Sequence, residues 1–194
     1  INVNLDFEQV ELYGCRINSL QIYVFDTVTL RPWTNRNVSA TEAMYGSGRV
    51  CANGADTTRR FFEFPYANPG GVPYRKRAMD FLDTIPNGMY VAITNFGNTL
   101  NNTSFINQWK NDTTTLGSGN SLYHKLKSIG FTKIDSFTRN LPFLYFNKKG
   151  SSGFEGIHEI AATDTIQIDK VITLNSLIPN GSIETPLYGP ARSW

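Results

Sequence analysis

Met79-Asp80-Phe81-Leu82-Asp83-Thr84-Ile85-Pro86-Asn87-Gly88-Met89-Tyr90-Val91-Ala92-Ile93-Thr94 holds the end of a helix, a stop signal and a strand in one run. Tyr74, Ala78, Phe81, Leu82 and Ile85 recur at helical spacing and form one apolar stripe. Pro73 suits the first helical turn, and Pro86-Asn87-Gly88 ends the helix. Residues 89–94 then read as a buried strand, rich in β-branched and aromatic side chains.

Working outward, the same signals recur. Residues 20–25, Leu-Gln-Ile-Tyr-Val-Phe, form a second central strand, and Asp26-Thr27 opens a turn. Residues 143–147, Phe-Leu-Tyr-Phe-Asn, form a third. Alternation predicts further strands over 3–13, 61–64, 157–162 and 165–174, and a strand entry over 131–137. Shorter strand candidates lie at 49–52 and 182–188. A second helix is predicted over 121–129, with Gly130 as its C-cap, and a short helical segment over 104–110. Residues 31–56 read as a long polar loop. Strands dominate, so the predicted class is α+β, β-rich, with a sandwich-like core.

The chain has 194 residues, the size of one domain, with 40% hydrophobic and 13% aromatic content. Eighteen Lys+Arg against 16 Asp+Glu leave a formal charge of +2. That balance gives no general attraction to nucleic acid. No apolar run reaches the roughly 18 residues of a membrane span, so no membrane insertion is expected. The start, Ile1-Asn2-Val3-Asn4, carries neither an initiator Met nor a signal peptide, and reads as part of a longer or processed chain.

Chemistry-bearing motifs are few. No G-x-S-x-G elbow, P-loop, dinucleotide fingerprint or EF-hand occurs. Gly46-Ser47-Gly48 and Gly117-Ser118-Gly119 read as turns. Cys15, Cys51, His124 and His158 lack the close-paired spacings of a zinc site, so no metal and no cofactor is expected. Cys15 and Cys51 either form a disulfide, whose loop closure would contribute about 4 kcal/mol, or remain buried thiols. Sequons begin at Asn37, Asn101, Asn102, Asn111 and Asn180; the overlap at Asn101 and Asn102 favours sites without glycans.

In Glu155-Gly156-Ile157-His158-Glu159, strand alternation puts His158 on the face opposite Ile157 and Glu159, which reads as solvated strand residues. Arg75-Lys76-Arg77, with Arg59-Arg60 upstream, is the densest basic cluster and is expected to point outward from its helix. Trp33, Tyr45, Tyr66 and Trp109 lie in polar stretches and are candidates to stack on sugar faces.

The run 79–94, followed by residues 121–130 and 143–150 and preceded by 22–26 and 62–66, resembles the interleukin-like (PANDER-like) domain family. That domain occurs in secreted cytokines and in the stem of protein O-mannose N-acetylglucosaminyltransferase. It also occurs in large bacterial surface chains of the type IX secretion pathway. The resemblance implies two twisted antiparallel sheets flanked by two or three short helices. It implies a leading strand or linker over 1–17, the family domain over 18–174, and over 175–194 a linker with the first strand of a following β-domain. It further implies a non-catalytic, extracellular or cell-surface module, with a glycan and the other domains of the parent chain as partners. In the glycosyltransferase stem, charged residues beside three core strands hold N-acetylglucosamine. The matching positions here are Asn18, Asn95 and Asn140, with Arg139 adjacent. None of the three keeps its charge, so hydroxyl recognition would fall to neutral amides. The competing readings are a structural or protein–protein module without a small ligand and, third, a cytokine-like secreted ligand.

Overall fold

The structure is a computed structural model that describes residues 3–5, 8–11, 18–36, 58–66, 71–96, 105–138, 141–163 and 168–174. The fold is α+β and rich in strands. Strand β1 (Val3–Leu5) pairs with β2 (Glu8–Glu11), Leu5 opposite Glu8. A single strand over 3–13 is therefore corrected to a hairpin. Pairing of Leu5 with Glu8 puts residues i and i+3 on one face, so the apolar alternation changes phase across the reversal, from Val3, Leu5 and Phe7 to Val10 and Leu12. Strand β3 (Ser19–Phe25) follows, then β4 (Asn35–Arg36) and β5 (Thr58–Arg59), which pair with each other, and β6 (Phe62–Pro65). Helix α1 (Gly71–Thr84) leads into β7 (Tyr90–Phe96). Next come α2 (Phe105–Asn111), the four-residue α3 (Thr113–Leu116), α4 (Leu122–Ser128) and a 3-10 helix (Thr132–Ser136). Strands β8 (Phe143–Lys148) and β9 (Ile157–Ile160) complete the order.

The central sheet has five strands in the order β6-β3-β7-β8-β9, and every neighbouring pair is antiparallel. β3 is buried along its whole length because both faces of the sheet are covered. On one face Leu20, Ile22, Val24, Val91, Ile93, Phe143 and Tyr145 meet Phe81 and Leu82 of α1, Phe105 and Trp109 of α2, and Leu122 and Leu126 of α4. On the other, Tyr23, Phe25, Phe61, Tyr90 and Phe146 form a smaller cluster, against which Phe154, Ile172 and Leu174 pack.

Local signals explain the element ends. Asp26 Oδ1 accepts from the Val28 and Thr29 amides at 2.9 and 2.7 Å and closes the expected turn after β3. Ser121 Oγ accepts from the His124 amide and caps α4. Gly130, at φ 100°, ends it: its amide donates to Lys127 O while Phe131 N donates to Leu126 O, a Schellman motif. Where a strand entry is expected over 131–137, residues 132–136 form the 3-10 helix, flanked by Phe131 and Phe137. The apolar residues Phe131, Ile134 and Phe137 are spaced by three and all fully buried, which is the 3-10 period. Residues 168–174 likewise carry no strand, although Ile172 and Leu174 do point into the second cluster. The strand candidates at 49–52 and 182–188 lie outside the described residues.

Candidate functional site

Antiparallel pairing brings the start of β3, the end of β7 and the start of β8 to the same end of the sheet. Asn18 therefore lies beside the strand ends that carry Asn95 and Leu141. Asn18 is half-buried with φ 60°, a left-handed conformation that Asn tolerates better than most residues. Its carbonyl accepts from Tyr66 N at 2.8 Å and extends the β3–β6 pairing. Arg139 and Asn140 lie outside the described residues, directly before Leu141 in the chain.

Asn95 is buried. Its Oδ1 accepts from Phe143 N at 2.9 Å, and its Nδ2 donates to Leu141 O at 2.8 Å. The β7–β8 register runs out at Thr94 opposite Leu144, and the Asn95 amide replaces the next rung. The same side chain hydrogen-bonds the Tyr66 phenol. Burial pushes that phenol above its ordinary range, and the Asn95 bond opposes the shift. Asn95 thus holds Leu141 and Phe143 at the entry to β8.

Tyr66 belongs to an aromatic core with Phe105, Trp109 and Phe137, at centroid distances of 5.2, 5.3 and 6.5 Å. Tyr66 and Trp109 are both fully buried, which corrects their reading as stacking platforms for a sugar. Large aromatic side chains in a polar stretch are recruited to a core as readily as to a ligand. Trp109 Nε1 has no hydrogen-bond partner there. Trp33 is half-buried against the same core, and Tyr45 lies outside the described residues.

Arg75 is a second correction. Lys76 and Arg77 are exposed, but Arg75 is buried and turns inward. Its Nε and Nη2 donate to Asp112 at 2.6 Å each, and Nη1 donates to Tyr66 O at 2.7 Å. Gly71, Arg75 and Met79 are successive i, i+4 positions on one buried stripe of α1. A Cβ on Gly71 would collide with Arg75 Nη1, so the absence of a side chain there makes room for the guanidinium. A glycine one turn before an arginine, beside an apolar stripe, was the available signal for this inward turn.

His158 faces the helix side of the sheet, opposite Tyr145, with Ile157 and Glu159 on the other face, as strand alternation requires. Its ring lies 5.3 Å from Tyr145 and 6.0 Å from Phe131, and Nδ1 is 3.2 Å from Thr132 Oγ1. Burial and the nearby Lys133 ammonium hold the imidazole below its ordinary pKa. Burial also pushes the Tyr145 phenol up to about 12. Glu159 lies between Lys133 and Lys170, at 3.7 and 3.4 Å. These two lysines carried no distinguishing sequence motif. His124 sits on α4, with Nδ1 2.8 Å from Ser121 Oγ. Cys15 and Cys51 lie outside the described residues. Among the described residues, no group of three or more His, Cys, Asp or Glu is placed to hold a metal ion. Among them, too, no helix is long and apolar enough to cross a membrane.

No protein-family model, curated protein or solved structure matches the chain.

Proposed function

We propose that this chain is a non-catalytic recognition or spacer module of a larger secreted or surface-attached protein, and that it binds a carbohydrate at the strand-end surface. The observation that carries the reading is the convergence of strand ends. Asn18, Asn95 and the chain entering β8 lie at one end of the sheet. The sequence resemblance marks these same positions for a sugar. The bonds of Asn95 to Leu141 and Phe143 give it a positioning role, which leaves direct contact with hydroxyls to Asn18, Arg139 and Asn140. Amide side chains both donate and accept, as hydroxyl recognition needs.

A glycan array probed with the wild type and with an Arg139→Ala, Asn140→Ala double variant tests the reading. The expected result is binding by the wild type and its loss in the variant, with an unchanged melting temperature. Binding retained by the variant would move the site away from the strand ends. Absence of wild-type binding at high protein concentration would overturn the carbohydrate reading and leave a structural or protein–protein module.

A further inference from the structure

The edge strand β9 carries a second feature, separate from the strand-end surface. An open hollow of about 370 Å³ is lined by Lys133, Gly156, Ile157, His158, Glu159 and Lys170. Lys133 comes from the 3-10 helix, whose Ile134 packs on the helix side of the sheet. Lys170 comes from the segment whose Ile172 and Leu174 pack on the opposite face. The two ammonium groups thus reach the edge strand from opposite sides of the sheet and meet over it.

Glu159 is the carboxylate between them, but its separations of 3.7 and 3.4 Å exceed the roughly 2.7–2.9 Å of a charge-assisted hydrogen bond. The pairs are loose, and both ammonium groups keep donor capacity. With His158 neutral, two positive charges face one negative charge. The Thr132 hydroxyl engages His158 Nδ1, and the packed ring holds the imidazole in place at the hollow.

We propose that this hollow binds a small oxyanion group, a carboxylate or a sulfate or phosphate ester, through Lys133, Lys170 and His158. Lysine serves such groups as a point charge with rotatable donors. An anion entering the hollow competes with Glu159 for the two ammonium groups and offsets the excess positive charge. It also favours the imidazolium form of His158, which shares the helix side of the strand with Lys133, while Glu159 lies on the other face and Lys170 comes from that opposite side. Affinity therefore rises as pH falls through the His158 titration.

Lysines at a sheet edge also serve simply to discourage strand pairing, a role that needs no ligand. Titration followed by NMR separates the two roles, with sodium sulfate, glucuronate and uncharged glucose as probes and ionic strength held constant with sodium chloride. Saturable shifts are expected at the Gly156, His158 and Lys170 amides with at least one of the two anions and not with glucose. The His158 ring pKa should rise in the saturating anion. A Lys133→Gln, Lys170→Gln double variant should weaken binding by about tenfold or more, through loss of two charge-assisted contacts. Lys76→Gln, which removes an exposed lysine paired with Asp80, should leave it unchanged. Sulfate binding alone assigns the site to sulfate or phosphate esters, and glucuronate binding alone assigns it to carboxylates. Shifts that never saturate, that match those with glucose, or that persist undiminished in the double variant would overturn the proposal.

Discussion

The end of the sheet around Asn95 and the edge of the sheet along β9 treat their polar groups in opposite ways. Around Asn95 the Asn95 amide, the Arg75 guanidinium and the Asp112 carboxylate are all buried and bonded to backbone or to each other. Along β9 every residue is half-exposed, and Lys133, Glu159 and Lys170 approach without closing to hydrogen-bond distance. A buried polar group left unmatched costs about 1–3 kcal/mol, so the interior satisfies its own. Water satisfies the edge, and water is what a ligand displaces.

The largest expected effect lies in the first region. Asp112→Ala leaves the Arg75 guanidinium buried without its counter-charge, which typically costs about 3–5 kcal/mol. A folded chain of this length should then melt on the order of 10 °C lower. The double variant Arg75→Met, Asp112→Leu removes both charges and should recover most of that loss. Equal melting temperatures for Asp112→Ala and the wild type would show that the pair is no more committed than the edge lysines, and the contrast would fail. Asn95→Ala comes next. It strips Phe143 N–H and Leu141 C=O of their partner, for about 2 kcal/mol by denaturant unfolding. A loss below about 0.5 kcal/mol would mean that water reaches this strand end as freely as it reaches β9.

Much of the fold was legible because local signals agreed with one another. The α1 stripe, the stop at Gly88, the strands at β3, β7 and β8, and the Gly130 cap each announced themselves by period or by turn chemistry. The misreadings share a physical origin. In the hairpin β1–β2 the alternation shifts by one position, from Val3, Leu5 and Phe7 to Val10 and Leu12, a phase change that a single-strand reading passes over. The 3-10 helix spaces Phe131, Ile134 and Phe137 by three, a period that a short window confuses with a strand. Arg75 reads as exposed because a charged side chain on a helix ordinarily faces solvent, whereas Asp112, which pairs with it, lies 37 residues away in sequence. The site was less legible for the same reason. Convergence of Asn18 with Asn95, or of Lys133 with Lys170 across β9, is a property of the sheet order, which no single window of sequence contains.

The smallest expected effect concerns pH and sharpens the contrast from the other side. His158 is partly buried, and burial with Lys133 lowers its pKa in the folded state below the ordinary 6.5. In the unfolded chain the imidazole takes up a proton near that ordinary value, so between the folded pKa and 6.5 the unfolded state binds more protons. Stability is therefore whole above 6.5 and falls as the pH drops toward the folded pKa. The ring remains open to solvent along β9, so the effect is modest. His158→Gln removes the titration and should flatten the stability profile of the wild type below 6.5. The comparison calls for denaturant unfolding of both proteins across that range in a chloride buffer without sulfate or phosphate. Repeating it in sulfate links the two regimes: an anion over His158 raises the folded pKa, so the wild-type loss on acidification should shrink while the His158→Gln profile does not change shape. Identical wild-type profiles in chloride and sulfate would place the imidazole with the closed groups of the strand end rather than with the open ones of the edge.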